Sequence, residues 1–258
     1  MAGRVGSVQF SSRGADSALL RDTARKALRR MPPRLEMLVR STRARRALPG
    51  FYAPGRDLSD LVPRDKLAID AGANVGAYSY WIAQASRGLV AFEPQPGLAK
   101  RLARSGIKNM TVHNVALSDA PGVAALHVPL THGEASLREL TGPTDTFEVP
   151  LATLDSFGLE DVGFFKIDVE GHEEPLLRGS EETLRRSSAV VFVEIEERHN
   201  PGGLARILSW FADLGYNDVQ YRQNGRMLPY SEFDLERDQL QGRPRTAGYA
   251  NNFLFQRS

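Results

Sequence analysis

A chain of 258 residues, 41% hydrophobic and 25% charged, is long enough to bury a sizeable core and has the balance of an ordinary globular protein. It contains no Cys, which excludes disulfide staples, thiolate metal sites and a Cys nucleophile and fits a reducing, cytoplasmic setting; no run is long and apolar enough to suggest a membrane span or a secretion signal. The net charge of +2 hides an asymmetry, since residues 1–50 carry twelve Lys or Arg against three Asp or Glu and are therefore +9, leaving −7 for the remainder.

That basic leader sets the first boundary, at residues 1–63. Leu19, Leu20, Ala24, Ala27, Leu28 and Met31 recur at helical spacing over Ala15–Met31, Pro32 and Pro33 stop the run, and a second short helix is predicted over Arg34–Arg46. Pro49–Pro63 reads as a loop into the core domain, residues 64–258. A basic arm can meet nucleic acid, an anionic membrane surface or a phosphorylated substrate. No aromatic residue between Ala15 and Ala47 offers a face to stack on bases, which favours a solvated helical face.

The core opens on LAIDAGANVGAYSY, Leu67–Tyr80: a short apolar strand ending in Asp70, a turn punctuated by Gly72, Asn74 and Gly76, and an amphipathic helix predicted from Val75 to Ala85. Leu89–Phe92 and Pro96–Arg104 repeat strand and helix, and Thr111–Leu117 supplies a third strand. Short strands follow at Val123–Val128, Glu134–Leu137 and Thr146–Phe157, read as an insertion of the kind that builds substrate pockets. The alternation resumes with Val162–Asp168, a helix from Glu173 to Arg186, the apolar strand Ala189–Ile195 and a helix over Leu204–Asp213. Extended pieces at Asp218–Tyr221, Arg226–Tyr230 and Asn252–Phe255 close the chain. This order predicts an α/β fold with a doubly wound, mostly parallel Rossmann-like sheet.

Charge narrows the ligand of the first turn. A nucleotide turn of the G-x-G-x-x-G kind receives an anionic pyrophosphate at the helix start. Here Asp70 sits beside the turn, Glu93 ends the second strand, and no third glycine completes that fingerprint. Two acids favour a cation, and S-adenosylmethionine has both an ammonium and a sulfonium, while its ribose offers two hydroxyls to a carboxylate about 20 residues past the glycines.

Ligands of open α/β sheets lie beyond the carboxyl ends of the strands. Asp70, Glu93, Asp168, Glu170, His172 and Glu194 should therefore share one rim, with Lys166 on the same face of its strand as Asp168. Three readings of KIDVEGHEE remain open. Its acids can complement a helix dipole; His172, Asp168 or Glu170 can take a proton from an acceptor hydroxyl; or Asp168 and Glu194 can hold a divalent metal, for which two carboxylates make a thin ligand set. His113, His127, His132 and His199 read as ordinary surface or core residues.

Several motifs in order carry a more specific resemblance. DAGANVGAYS (70–79), AFEPQP (91–96), NVALSD with Gly122 (114–122), GEASL (133–137), VPLATLD (149–155), FFKIDVEGHEEPLLRG (164–179), VVFVE (190–194) and NNFLF (251–255) together resemble an FkbM-type S-adenosylmethionine-dependent methyltransferase. The resemblance implies a class I methyltransferase domain over 64–258 and transfer of a methyl group to oxygen, often on a sugar or polyketide. The acceptor would be a small hydroxylated molecule such as a sugar or glycosylated metabolite. It implies that Asp70, Gly72, Asn74 and Gly76 surround the methionyl part of the cofactor, that Glu93 binds the ribose, that Asn114 and Ala116 lie near the adenine, and that Asp168, Glu170 and His172 face the methyl group and acceptor. Family members frequently carry a small residue where this chain has His172, so its candidacy as base rests on location. Methyl transfer is an in-line SN2 displacement, in which positioning supplies much of the catalysis. Two rivals stand beside this reading: a nucleic-acid methyltransferase using the basic arm, and a catalytically silent cofactor-binding module.

Overall fold

The computed structural model describes residues 31–32, 35, 52–53, 56–129, 135–138, 143–242 and 247–258. The expected leader helices lie outside them but for Met31 and Leu35, as do His132, Gly133 and Glu134.

The strands β1 (Leu67–Ala71), β2 (Gly88–Phe92) and β3 (Met110–His113) run parallel, each pairing with the next. A separate small sheet joins β4 (Ala116–Leu117), β5 (Gly122–Pro129) and β6 (Thr144–Ala152), with β6 in the middle. The main sheet resumes on the other side of β1 with β7 (Val162–Ile167) and β8 (Val190–Glu194), both parallel to it, and ends with β9 (Asp218–Gln223), β10 (Arg226–Pro229) and β11 (Asn252–Gln256). Across the sheet the order is β3-β2-β1-β7-β8-β11-β9-β10, and β11 runs antiparallel to both neighbours. The order in which successive strands are added thus reverses between β1 and β7, the switch point at which such sheets leave a crevice for ligands.

Alternate residues of the central strands feed two cores. Ile69, Phe165 and Val191 pack with Leu176 and Leu177 of α3 (Glu173–Arg178), Leu184 of α4 (Glu181–Arg186), and Ile207 and Phe211 of α5 (Gly203–Asp213). Ala68, Phe164 and Phe192 face the other way, towards Ile82 and Ala83 of α1 (Ser79–Ala85). All six residues of β7 are buried, as a strand covered on both faces must be. Phe211 stacks on Phe255 with ring centroids 3.9 Å apart, fixing α5 to the sheet by a contact that contributes about 1 kcal/mol beyond area burial.

Three expectations about local structure change. The helix expected from Val75 begins only at Ser79, because positive φ at Gly72 (+73°), Asn74 (+51°) and Gly76 (+79°) prolongs the turn. Thr111–Leu117 is two strands in two sheets: after His113 the chain breaks at Asn114, whose Nδ2 donates to the carbonyls of Glu93 (2.9 Å) and Pro94 (2.7 Å), and Ala116 joins the small sheet. The helix expected over Glu173–Arg186 is two helices parted at Gly179. An added Cβ there would lie 2.0 Å from the Ser118 carbonyl oxygen, so only glycine permits this approach, and the Asp155 carboxylate starts the second helix by accepting from the Thr183 amide at 2.8 Å. Periodicity carries no trace of the turn Glu236–Leu240, whose Gln239 amide ties Ile195, Glu197 and Ala250 together.

Candidate active site

The carboxyl ends of β1, β2 and β7 open into a cleft of about 720 Å³ counted together with its solvent-filled mouth. Gly72, Glu93, Asp168, Glu170 and His172 line its polar side. Its apolar side is Leu98 of α2 (Pro96–Ala103), Val115, Ala116 and Leu117 around β4, and Leu126 and Leu137, the small sheet with its flanking segment acting as a wall. The insertion therefore lines the cleft.

Gly72 is where two strand ends meet. Its amide and that of Ala73 both donate to the Phe92 carbonyl, at 3.0 and 3.1 Å, while the Asp168 amide donates to the Ala71 carbonyl at 3.1 Å. The approach is so close that a Cβ on Gly72 would lie 1.8 Å from the Asp168 carbonyl oxygen.

Glu93 is 4% exposed and clasps the loop ends of β1 and β2: Oε2 accepts from the Asn74 amide at 2.6 Å and Oε1 from the Gln95 amide at 2.8 Å. Burial pushes the carboxyl up to about 7, and the two amides only partly oppose it. Each oxygen keeps a lone pair for a donor in the cleft.

Asp70 stands elsewhere. It is fully buried beneath the floor, accepts from Ser79 Oγ at 2.5 Å, and has Lys166 Nζ 3.1 Å from its Oδ1. Asp70 and Lys166 are register partners on β1 and β7, and their common face looks towards α1, not into the cleft. Asp168, two residues after Lys166, does line the cleft and lies 3.4 Å from the same ammonium. Burial alone would pull Lys166 down, but Asp70 and Asp168 more than offset it and hold the ammonium above its usual range.

Glu170 and Gly171 take positive φ (+51° and +96°), turning the chain so that Glu170 lies 3.5 Å from His199 Nδ1 and His172 enters the cleft. His199, read from the sequence as an ordinary residue, is thus a neighbour of the site. His172 Nε2 stands 3.0 Å from Ser118 Oγ, which itself donates to Asp119 Oδ1 at 3.2 Å. Burial pulls the imidazole below its usual range despite the nearby Asp119 carboxylate. Ser118 lies within NVALSD but reaches His172 only through the docking of β4 beside α3.

The remaining candidates divide. Ala116 lines the cleft, whereas Asn114 braces the loop behind Glu93, and Gly76 closes the turn by donating to Ala73 and accepting from Tyr80. Glu194 accepts from Asn251 Nδ2 at 2.7 Å; burial, with Asp168 and Glu170 nearby, raises its carboxyl well above the usual range. Among the described residues no group of three or more His, Asp or Glu side chains could hold a metal ion. None of the described helices is long and apolar enough to cross a membrane.

A family model described as the methyltransferase FkbM domain matches residues 70–217, more than half of the chain and all of this site. The chain belongs to the FkbM methyltransferase family. That family is S-adenosylmethionine-dependent. Among solved structures, an FkbM methyltransferase from Methylobacillus flagellatus KT is 13% identical with a TM-score of 0.48, over 74% of this chain and 43% of that one, so this chain spans less than half of its length. An rRNA methylase from Streptococcus thermophilus is 12% identical (TM-score 0.43, covering 78% of this chain and 91% of that one). Magnesium protoporphyrin IX methyltransferase from Synechocystis PCC 6803, solved with bound S-adenosylmethionine, is 14% identical (TM-score 0.43, covering 87% and 82%). No curated protein matches the sequence.

Proposed function

We propose that this chain O-methylates a hydroxyl of a sugar, glycoside or other small natural product in the cytoplasm, with residues 64–258 as the catalytic domain and 1–63 as an accessory extension. The observation that carries the reading is the cleft at the switch point, with a doubly clasped carboxylate, Glu93, at one end and Asp168, Glu170 and His172 at the other. Such a site fits S-adenosylmethionine: Glu93 would accept from the ribose hydroxyls, Leu98, Val115 and Ala116 would flank the adenine, and the turn at Gly72 and Asn74 would carry the methionyl part. Asp70, sealed below, would act by holding that turn. When bound, the cofactor supplies an electrophilic methyl carbon.

The chain's own contribution is orientation and a proton acceptor. Asp168 already faces the Lys166 ammonium and Glu170 the His199 ring, whereas burial keeps His172 neutral and so able to accept the acceptor hydroxyl's proton. His172→Ala is expected to lower turnover about 100-fold or more while leaving the dissociation constant of S-adenosylhomocysteine within about threefold of wild type. Unchanged turnover of the variant at every pH would remove His172 from the mechanism.

A screen of radiolabelled S-adenosylmethionine against glycosides and small hydroxylated metabolites tests the function, label in an ether-linked methyl group being the expected product. Labelling of RNA or DNA instead, with binding that falls steeply as salt rises, would replace this reading with the nucleic-acid one.

A further inference from the structure

Lys166 is only 2% exposed, and an ammonium so deeply buried needs compensation. Its Nζ lies 3.1 Å from Asp70 Oδ1 and 3.4 Å from Asp168 Oδ2, donates to the Gly72 carbonyl oxygen at 3.3 Å, and stands 5.0 Å from the centre of the Tyr78 ring. One side chain thus touches the end of β1, the first turn, the approach to α1 and the residue that follows β7. Of its two carboxylate partners only Asp168 reaches the cleft. The other titratable and charged groups around this cluster are Tyr78 itself, Glu93 beyond the end of β2, Glu173 on α3, Glu194 at the end of β8 and Arg222 on β9.

We propose that Lys166 is a positioning residue that sets the charge beneath the donor, offsetting Asp70 so that the negative charge of Asp168 stays uncancelled at the cleft and makes it prefer S-adenosylmethionine to S-adenosylhomocysteine. This rests on the donor-site reading above. The two ligands differ by one methyl group and one positive charge, so the ratio of their affinities reports the local charge and little else. In a site shielded from water a unit charge a few ångströms away changes such a ratio about tenfold. The same device lets the product leave: once the sulfonium becomes a neutral thioether, its attraction to Asp168 is gone.

The test compares both dissociation constants by calorimetry for wild type, Asp70→Asn and Lys166→Met, at a pH well above the carboxylate range. Asp70→Asn leaves Lys166 to cancel Asp168, so the preference for S-adenosylmethionine falls about tenfold; Lys166→Met exposes both negative charges, so it rises by a similar factor. A merely structural role moves both ligands together, so an unchanged ratio in folded variants that still bind overturns the proposal and leaves the donor site standing. If Lys166→Met fails to fold, Asp70→Asn decides alone: a lowered ratio supports the proposal and an unchanged one overturns it. Wild-type protein that binds neither ligand overturns the donor-site reading and this inference with it.

Discussion

Gly72→Ala is expected to lower the thermal unfolding midpoint by about 10 °C and to abolish measurable binding of S-adenosylhomocysteine. The new Cβ would lie 1.8 Å from the Asp168 carbonyl oxygen, a backbone atom at the end of a fully buried strand, so no flexible side chain can yield. The residue must also keep φ at +73°, a region that costs an alanine about 1 kcal/mol. Adding about 2 kcal/mol for the displaced backbone gives about 3 kcal/mol, a large share of an ordinary domain's stability. The functional loss has the same origin, because the shift parts the loop end of β1 from that of β7 and opens the floor of the cleft. Gly97→Ala is the control. Its Cβ meets nothing within 4 Å on α2, so the midpoint should stay or rise slightly. Equal midpoints for Gly72→Ala and wild type would show that the two strand ends are not locked.

The sheet was legible because buried parallel strands announce themselves: Val162–Phe165 and Val190–Val193 are continuous apolar runs, and helices and glycines punctuate them. The rim was legible as well, since the carboxyl ends of parallel strands must lie together. Depth was not. Asp70 and Asp168 look equivalent as acids ending strands, yet one is sealed with Lys166 and Ser79 and the other reaches the cleft, a difference of height set by register: Asp70 pairs with Lys166 inside the sheet, whereas Asp168 lies two residues further on, past the end of β7. Places where the chain changes partner were hidden for a related reason. Thr111–Leu117 reads in sequence as one extended run, and only the Asn114 side chain, bonded to carbonyls beyond the second strand, reveals that it leaves one sheet for another. The apolar wall of Leu126 and Leu137 follows from how the small sheet docks, which no local pattern records.

S-adenosylhomocysteine is expected to bind about 100-fold more tightly at pH 8 than at pH 5, and Glu93→Gln should remove most of that dependence. Burial raises this carboxyl from its ordinary 4.5 to about 7. The charged form is the one that both clasping amides favour and the one able to accept from two ribose hydroxyls. If Glu93 holds the ribose as proposed, a proton must be expelled below the raised value before the ligand is bound, so affinity is expected to rise about tenfold per pH unit and level off above it. Stability runs the opposite way. A carboxyl whose folded value exceeds its unfolded one contributes stability that is complete below about 4.5 and lost as pH rises through about 7. The shift corresponds to about 3 kcal/mol at most. The unliganded protein should therefore be less stable at pH 8 than at pH 5 on account of this group, and Glu173, which burial also pushes up to about 7, adds in the same sense. Ligand and fold thus make opposing demands on Glu93: Glu93→Gln removes the burial penalty of the charge but turns its NH2 group towards one of the two clasping amides, and it should bind the ligand about 100-fold less tightly than wild type at pH 8. Titration of the ligand's own groups is common to both proteins and cancels in the comparison. Parallel pH profiles for wild type and variant would show that the carboxylate braces the loops without meeting the ribose.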